Sequence, residues 1–386
     1  HNTNEGPDFS FAKISLSRQT WVGNVEIHLK SSDWYKHQHH TQAKYNNVVL
    51  HVVYEYDVPV LINKQEVPTL QVKDLIPSNV VSKWEAMGKS EAHIACQDFL
   101  HNISKFDINN WVERLYFERL ESKVNQLSEQ YSKQHLAPAE ILYLSVLKSL
   151  GQRINCFGFE QLAKALPYSV LRKHKTKIKE VEARLFGSVG LLKEAPADDY
   201  IEELKAIYAF LQVKYNLEPE SKSNWNYLRL RPAAFPDTRL AILAALVCKP
   251  ESVFDWEGWE LTLDNLSVKL QAQASAYWDT HYLLGKASPV NRPKKIGTSL
   301  SQNILINAAL PYYVFQNRNR EEEISGVLEQ VNAALKPEKN KILREFSSLG
   351  FSNKSLPQSQ GILQLYKEYC QKQRCLNCAI GKKVLE

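Results

Sequence analysis

Asp8, Glu26 and His28 are residues whose types and spacing suit metal-assisted hydrolysis. Asp8 closes the run Gly6-Pro7-Asp8, and Glu26 and His28 stand two apart in Val25-Glu26-Ile27-His28. Two carboxylates converging on one sheet edge can hold Mg²⁺ or Mn²⁺ through hard oxygen ligands, leaving positions for water and phosphate. Such an ion stabilises charge on phosphoryl oxygens and lowers the pKa of the attacking water. A side chain two residues beyond Glu26 lies on the same strand face, so His28 can orient or deprotonate that water. The main-chain carbonyl of Ile27 is a further candidate ligand, and Lys30 a reserve cation.

Histidine is concentrated nearby. Six of the chain's 11 histidines lie in the first 51 residues, including His37, His39 and His40 in Asp33-Trp34-Tyr35-Lys36-His37-Gln38-His39-His40, with His51 beyond. Imidazole suits Zn, Ni or Fe, and Asp33 and His37 are one helical turn apart. These side chains either form a transition-metal site or line the cleft beside Glu26 and meet substrate phosphates. The plainer alternative is a polar loop packed by Trp34 and Tyr35.

Two further constellations lie far along the chain. Cys370, Cys375 and Cys378 form C-x4-C-x2-C. The C-x2-C half is a recurrent thiolate bite for zinc, and clusters of this kind also hold iron–sulfur centres. A closed site needs a fourth ligand, from Cys96, Cys156, Cys248 or a histidine; the alternative is a helix with reduced thiols on its buried face. Arg229, Arg231 and Arg239 flank Pro232 and Pro236 in a basic loop running into a helix. Arginine forks can grip nucleic-acid phosphates, or equally tie the chain to its own acids.

The elements that would position these residues follow from hydrophobic periodicity. Residues 11–17 and 21–29 alternate as two strands, with Val25, Ile27 and Leu29 on one face and Asn24, Glu26, His28 and Lys30 on the other. Residues 31–47 predict a helical turn and a loop. Residues 48–56 are apolar on both faces and predict a buried strand, and 69–72 a short one. Beyond Pro77 helical spacing takes over in 80–95, 106–134, 138–150, 159–166, 178–186, 198–215, 235–247, 258–282, 300–313, 321–335 and 361–371. Loops are expected at 218–225, 285–298 and 352–359. The expected architecture is an α/β head with a small mixed sheet (1–77), a large all-α body (78–360) and a C-terminal helix with the cysteine cluster (361–386).

The 44% apolar and 23% charged fractions are those of a globular chain. No run approaches the ~18 apolar residues of a membrane span. The few cysteines argue against a disulfide scaffold and for the cytoplasm. A net charge of +6 permits a nucleic-acid partner. The clusters Arg172, Lys173, Lys175, Lys177, Lys179 and Lys286, Arg292, Lys294, Lys295 read first as solvated faces. No nucleophile elbow or dinucleotide fingerprint is present.

Pro7-Asp8 followed by Glu26-Ile27-His28 on the next strand resembles the PD-(D/E)XK nuclease superfamily, over about seventy residues. The resemblance implies a nuclease-like α/β head whose first helix would precede His1. It implies Asp8 and Glu26 as metal ligands and His28 in the place most often held by Lys, so that His28→Lys would be expected to keep activity. Across nearly the whole chain, GPDF, GNVEIHLKSSDWYKHQHH, YNNVVLHVV, RLRPAAFPDTRLA and RCLNCAIG resemble bacterial domain-of-unknown-function family 2851, found largely in Bacteroidota. The leading expectation is metal-dependent phosphodiester hydrolysis on DNA or RNA. Its rivals are a non-catalytic nucleic-acid-binding or scaffold protein with a degenerate nuclease-like core, and a hydrolase using a histidine-bound transition metal.

Overall fold

Two alternating runs near the N-terminus pair as an antiparallel hairpin, β1 (Phe9–Leu16) and β2 (Gln19–Lys30). The computed structural model describes residues 1–386 apart from 3–4, 17–18, 91, 216–224, 256–264 and 266–267. The hairpin register slips between Phe9 and Ala12, where Phe11 takes φ +54° and its N–H donates to Asn24 Oδ1 at 3.3 Å. A bulge of this kind re-aims the neighbouring side chains. It sits three residues from Asp8.

A helical turn, α1 (Asp33–Lys36), and two 3-10 turns, His39–Thr41 and Ala43–Tyr45, lead to β3 (Val48–Glu55). β3 runs parallel to β2. Gly23 permits their close approach: a Cβ there would lie 2.3 Å from Val49 Cγ1. A short ribbon of β4 (Leu61–Ile62) and β5 (Gln65–Glu66) precedes β6 (Thr69–Gln71), which joins β3 in parallel. The four-stranded mixed sheet has the order β1-β2-β3-β6.

The alternation on β2 is as expected, but the polar face is the covered one. Glu26 is 6% exposed and His51, its partner in register on β3, is fully buried. Trp34 and Tyr45 from the β2–β3 connection are buried with Val48, Val60 and Val67. Ile27 and Leu29, on the apolar face, are 47% and 74% exposed. His28, placed by alternation on the polar face, therefore has a nearly buried side chain.

After α2 (Ser78–Gly88) the chain leaves this unit and returns to it only at its end. Residues 1–104 and 369–386 form one unit and 105–368 the other. The sequence placed the head's boundary at 77 and grouped 361–386 separately. Met87 of α2 is buried with Val384 and Leu385 of the helix Ala379–Leu385, so the tail completes the core of the first unit.

The second unit is helical, with α3 (Lys105–Gln134), α4 (Pro138–Gly151) and α5 (Cys156–Ala165) followed by helices over Ile178–Ser188, Asp199–Tyr215, Pro236–Cys248 and Glu321–Ala334. α4 begins on Pro138, which suits the first helical position. Ten of its 14 residues are buried, including Ile141, Leu142, Tyr143 and Leu147. The helix expected over 258–282 departs most. Residues 258–264 lie outside the described residues, Ala276–Thr280 is a 3-10 turn, and His281–Leu283 is a strand. Likewise most of the loop at 218–225 lies outside the described residues. The loop expected at 352–359 gives way to a helix at Leu356, capped by the Ser355 side chain.

That helix, Leu356–Gln364, approaches α3 closely at Gly361, where a Cβ would stand 1.9 Å from the carbonyl oxygen of Val112. Backbone has no rotamer to yield, so the helices must separate. Gly361→Ala is expected to destabilise this unit by about 1–3 kcal/mol, read as a lower urea midpoint.

Candidate metal centre

Parity along β2 puts Glu26 and His28 on the covered face, and the parallel register with β3 sets His51 beside Glu26 and Val53 beside His28. The β2–β3 connection folds over this face and delivers His37 and His39. His28 Nδ1 lies 2.8 Å from His51 Nε2, and His28 Nε2 lies 3.1 Å from His37 Nδ1. Glu26 Oε1 stands 3.4 Å from His39 Nε2 and 3.6 Å from His28 Nε2. Tyr45 stacks on His39 with ring centroids 3.8 Å apart. His37 is exposed, whereas the His28 side chain is nearly buried, so the cluster opens to solvent on the His37 side.

Asp8 is drawn in by two reciprocal bonds. Its N–H donates to Glu26 Oε2 at 3.1 Å, and its Oδ2 accepts the Ile27 N–H at 2.9 Å. Asp8 thus touches Glu26 through its backbone amide, while its carboxylate is taken by the Ile27 amide.

Burial governs the charges here. It pushes the Glu26 carboxyl up to about 7; the Asp8 amide opposes the rise, and the Asp8 charge adds to it. Burial also lowers His28, His39 and His51 to about 4 each, and the neighbouring imidazoles push in the same direction. The short Glu26–His28 and Glu26–His39 distances are thus not ion pairs near neutral pH. The imidazoles are neutral, with lone pairs available.

The donor set fits a divalent transition ion. One ligand nitrogen each from His28, His37 and His39 lies within 4.8 Å of the others. Bonds of ~2.0–2.1 Å to a tetrahedral ion place ligand atoms roughly 3.4 Å apart, close to the 3.1 Å between His28 Nε2 and His37 Nδ1. In that arrangement His28 carries its proton on Nδ1 and donates it to His51, a partner that fixes ring orientation. Buried Nδ1 atoms of His39 and His51 have no hydrogen-bond partner.

Other expected site residues are placed elsewhere. Lys30 Nζ pairs with Glu55 at 3.5 Å and is half exposed, so it is committed away from the cluster. Asp33 accepts from the Lys30 amide at 2.9 Å and from Lys36 Nζ at 2.7 Å, and is not one of the three grouped ligands. His40 is exposed, with its ring against Tyr35, and also lies outside that group. In the helical unit Arg229 and Arg231 are exposed, but Arg239 is buried, which corrects its assignment to a surface phosphate grip. Lys175, Lys177 and Lys179 pair with Asp255, Glu180 and Glu203. Lys294 is buried, donating to the carbonyls of Asp279 and Arg292.

Sequence reasoning passed over the bracket that holds the β2–β3 connection. The Ser31 hydroxyl, the Ser32 amide and the Ser32 hydroxyl donate to the Asp57 carboxylate at 2.9, 2.8 and 2.7 Å. The Ser32 hydroxyl leads in holding Asp57 down at about 2. The available signal was a Ser-Ser pair ending one strand and an Asp just after the next. A carboxylate with a depressed folded-state pKa contributes stability in full above its unfolded value near ~3.9. That contribution is lost as pH falls through about 2. Asp57→Asn is expected to flatten the pH dependence of the unfolding midpoint across this acid window; an unchanged profile would contradict it.

Together these features define a protein with an imidazole and carboxylate cluster on a small mixed sheet, joined to a larger helical unit. Residues 1–341 match the family described as Protein of unknown function (DUF2851), and the chain belongs to it. No curated protein and no solved structure matches the chain. Among the described residues no helix is long and apolar enough to cross a membrane.

Proposed function

We propose that this protein is a metal-dependent hydrolase of phosphodiesters in nucleic acid, working with a transition ion such as Mn²⁺ or Zn²⁺. One observation carries the reading: Asp8 and Glu26 meet across the hairpin beside His28, and His37 and His39 converge on the same covered face. The order of carboxylate, strand, Glu-x-His strand and parallel strand supports the nuclease resemblance. The surplus of imidazoles favours a softer ion than Mg²⁺. In this reading the histidine-metal and nuclease alternatives become one site.

His28, His37 and His39 would hold the ion, which would supply Lewis acidity toward a phosphoryl oxygen and acidify a bound water. Three protein ligands are the usual complement of a catalytic site that keeps a position open. Glu26 Oε1, within 3.6 Å of two ligand nitrogens, accepts the proton of the attacking water. Asp8 fixes Glu26 from behind through its amide. His51 fixes the His28 ring. Arg229 and Arg231 are the exposed cations to test for backbone contact, by their effect on the salt dependence of binding.

The test is a cleavage screen on single- and double-stranded DNA and RNA with Mn²⁺, Zn²⁺ or Mg²⁺, together with metal-free protein. Cleavage that needs Mn²⁺ or Zn²⁺ and disappears with His37→Ala is expected. No hydrolysis with any of the ions would leave the scaffold reading standing instead.

A further inference from the structure

The helical unit holds a cavity of about 800 Å³, walled by α3, α4 and the chain over 303–311 and 363–368. That is the size of a small-molecule site. Its charge is mostly positive: Arg119, Lys123, Lys148, Arg153 and Lys367 line it, against the carboxylates of Glu338 and Glu368.

Two of these cations are held by neutral groups. Arg119 and Lys123 stand one turn apart on α3, each only partly exposed. Arg119 Nε donates to Gln360 Oε1 at 2.9 Å, and Lys123 Nζ donates to Asn307 Oδ1 at 2.7 Å and the Ile306 carbonyl at 3.2 Å. Burial lowers the Lys123 ammonium well below its usual value; the Arg119 charge pushes the same way and Glu338 opposes. Like charges this close in a poorly solvated wall are costly. An anion between them relieves both, and a phosphate group matches an arginine fork beside a lysine point charge.

The cavity wall is irregular backbone on three sides. Leu305–Ala309, which supplies both partners of Lys123, is π-helical, and so is Leu365–Cys370, which carries Lys367 and Glu368. Gln152, just past α4, takes φ +50° and ψ −140°. Such turns and strained residues cost stability and recur at binding sites. The remaining lining selects among phosphate compounds. The amides of Gln126, Gln152 and Asn303 suit hydroxyl groups. The described lining side chains include no aromatic ring on which a base would stack.

We propose that this cavity binds a small sugar phosphate, with Arg119 and Lys123 on the phosphate and the amides on the hydroxyls. The site lies wholly within residues 105–368 and uses none of Glu26, His28, His37 and His39. Its failure would leave the reading of the metal centre untouched. Full-length protein is titrated by calorimetry with glucose 6-phosphate and ribose 5-phosphate, beside glucose, inorganic phosphate, AMP and a single-stranded oligonucleotide. Saturable binding of at least one sugar phosphate is expected, roughly 10–100-fold tighter than glucose or inorganic phosphate. Arg119→Gln and Lys123→Gln should each weaken it about 10–100-fold, the span for a hydrogen bond to a charged group. Arg153 is exposed, and Arg153→Gln should cost about two- to fivefold without disturbing the fold. Lys179→Gln removes a cation outside the cavity and should bind as wild type. No saturable binding of either sugar phosphate, undiminished binding in Lys123→Gln, AMP bound more tightly than ribose 5-phosphate, or displacement by the oligonucleotide would each overturn the proposal. The wild-type titrations stand even if a cavity variant fails to fold.

Discussion

Glu26→Gln is expected to slow metal-dependent phosphodiester cleavage by about 10²–10⁴-fold, the usual loss when a positioned base is removed. The amide keeps the size of the carboxylate and can still accept the Asp8 amide bond through its remaining carbonyl oxygen. Fold and ion binding should therefore survive, since His28, His37 and His39 supply the ligands. The discriminating measurement sets cleavage rate against metal affinity by calorimetry. A matched loss of both would make Glu26 a ligand instead of a base, and an unchanged rate would remove it from the chemistry.

The second large effect concerns His28. The superfamily resemblance implies that lysine there should restore activity, but the geometry argues the reverse. The His28 side chain is 6% exposed and has imidazole partners on both ring nitrogens, His51 at 2.8 Å and His37 at 3.1 Å. An ammonium in that position brings a fixed charge into a poorly solvated site and cannot serve as ligand until it loses its proton. His28→Lys and His28→Ala should both weaken Mn²⁺ or Zn²⁺ binding more than ~100-fold, beyond the 10–100-fold typical for loss of a ligand's supporting partner. Activity should fall with binding. Full activity of His28→Lys would show that three imidazoles are not the ion's seat and would return the chemistry to Asp8 and Glu26.

Much of the sheet was legible because period-two alternation and β-branched runs report strands directly. The two hairpin strands, the central parallel strand and the short last strand fall close to where residues 11–17, 21–29, 48–56 and 69–72 placed them. Alternation gives parity but not which face is covered. Apolar Ile27 and Leu29 suggested one answer, whereas Trp34 and Tyr45 cover the face of Glu26, His28 and His51. The histidine concentration pointed to the right stretch. Only the fold separates His37 and His39, which join His28, from His40, which goes to Tyr35. Arg239 was grouped with Arg229 and Arg231 as a phosphate contact where a basic loop runs into a helix, yet that helix, Pro236–Cys248, is buried nearly throughout. Cys96 was one of several candidates for the fourth thiol. Its packing with Cys375 against one core carries no local mark, since residues 105–368 intervene between them in sequence.

Because Val384 and Leu385 complete the core around Met87, the first unit is split in the order of synthesis. The ribosome makes residues 1–104, then all of 105–368, and only then the segment that closes the first unit. At about 5–20 residues per second, the interval is roughly 10–50 seconds. During it the helical unit can fold, while α2 waits with Met87 uncovered, a surface for chaperones or for aggregation. A chain interrupted before residue 369 would carry Glu26, His28, His37 and His39 and still lack the segment that closes the unit that houses them. Emergence of the segment after residue 368, more than that of Glu26 and the histidines, sets the moment at which the first unit can close.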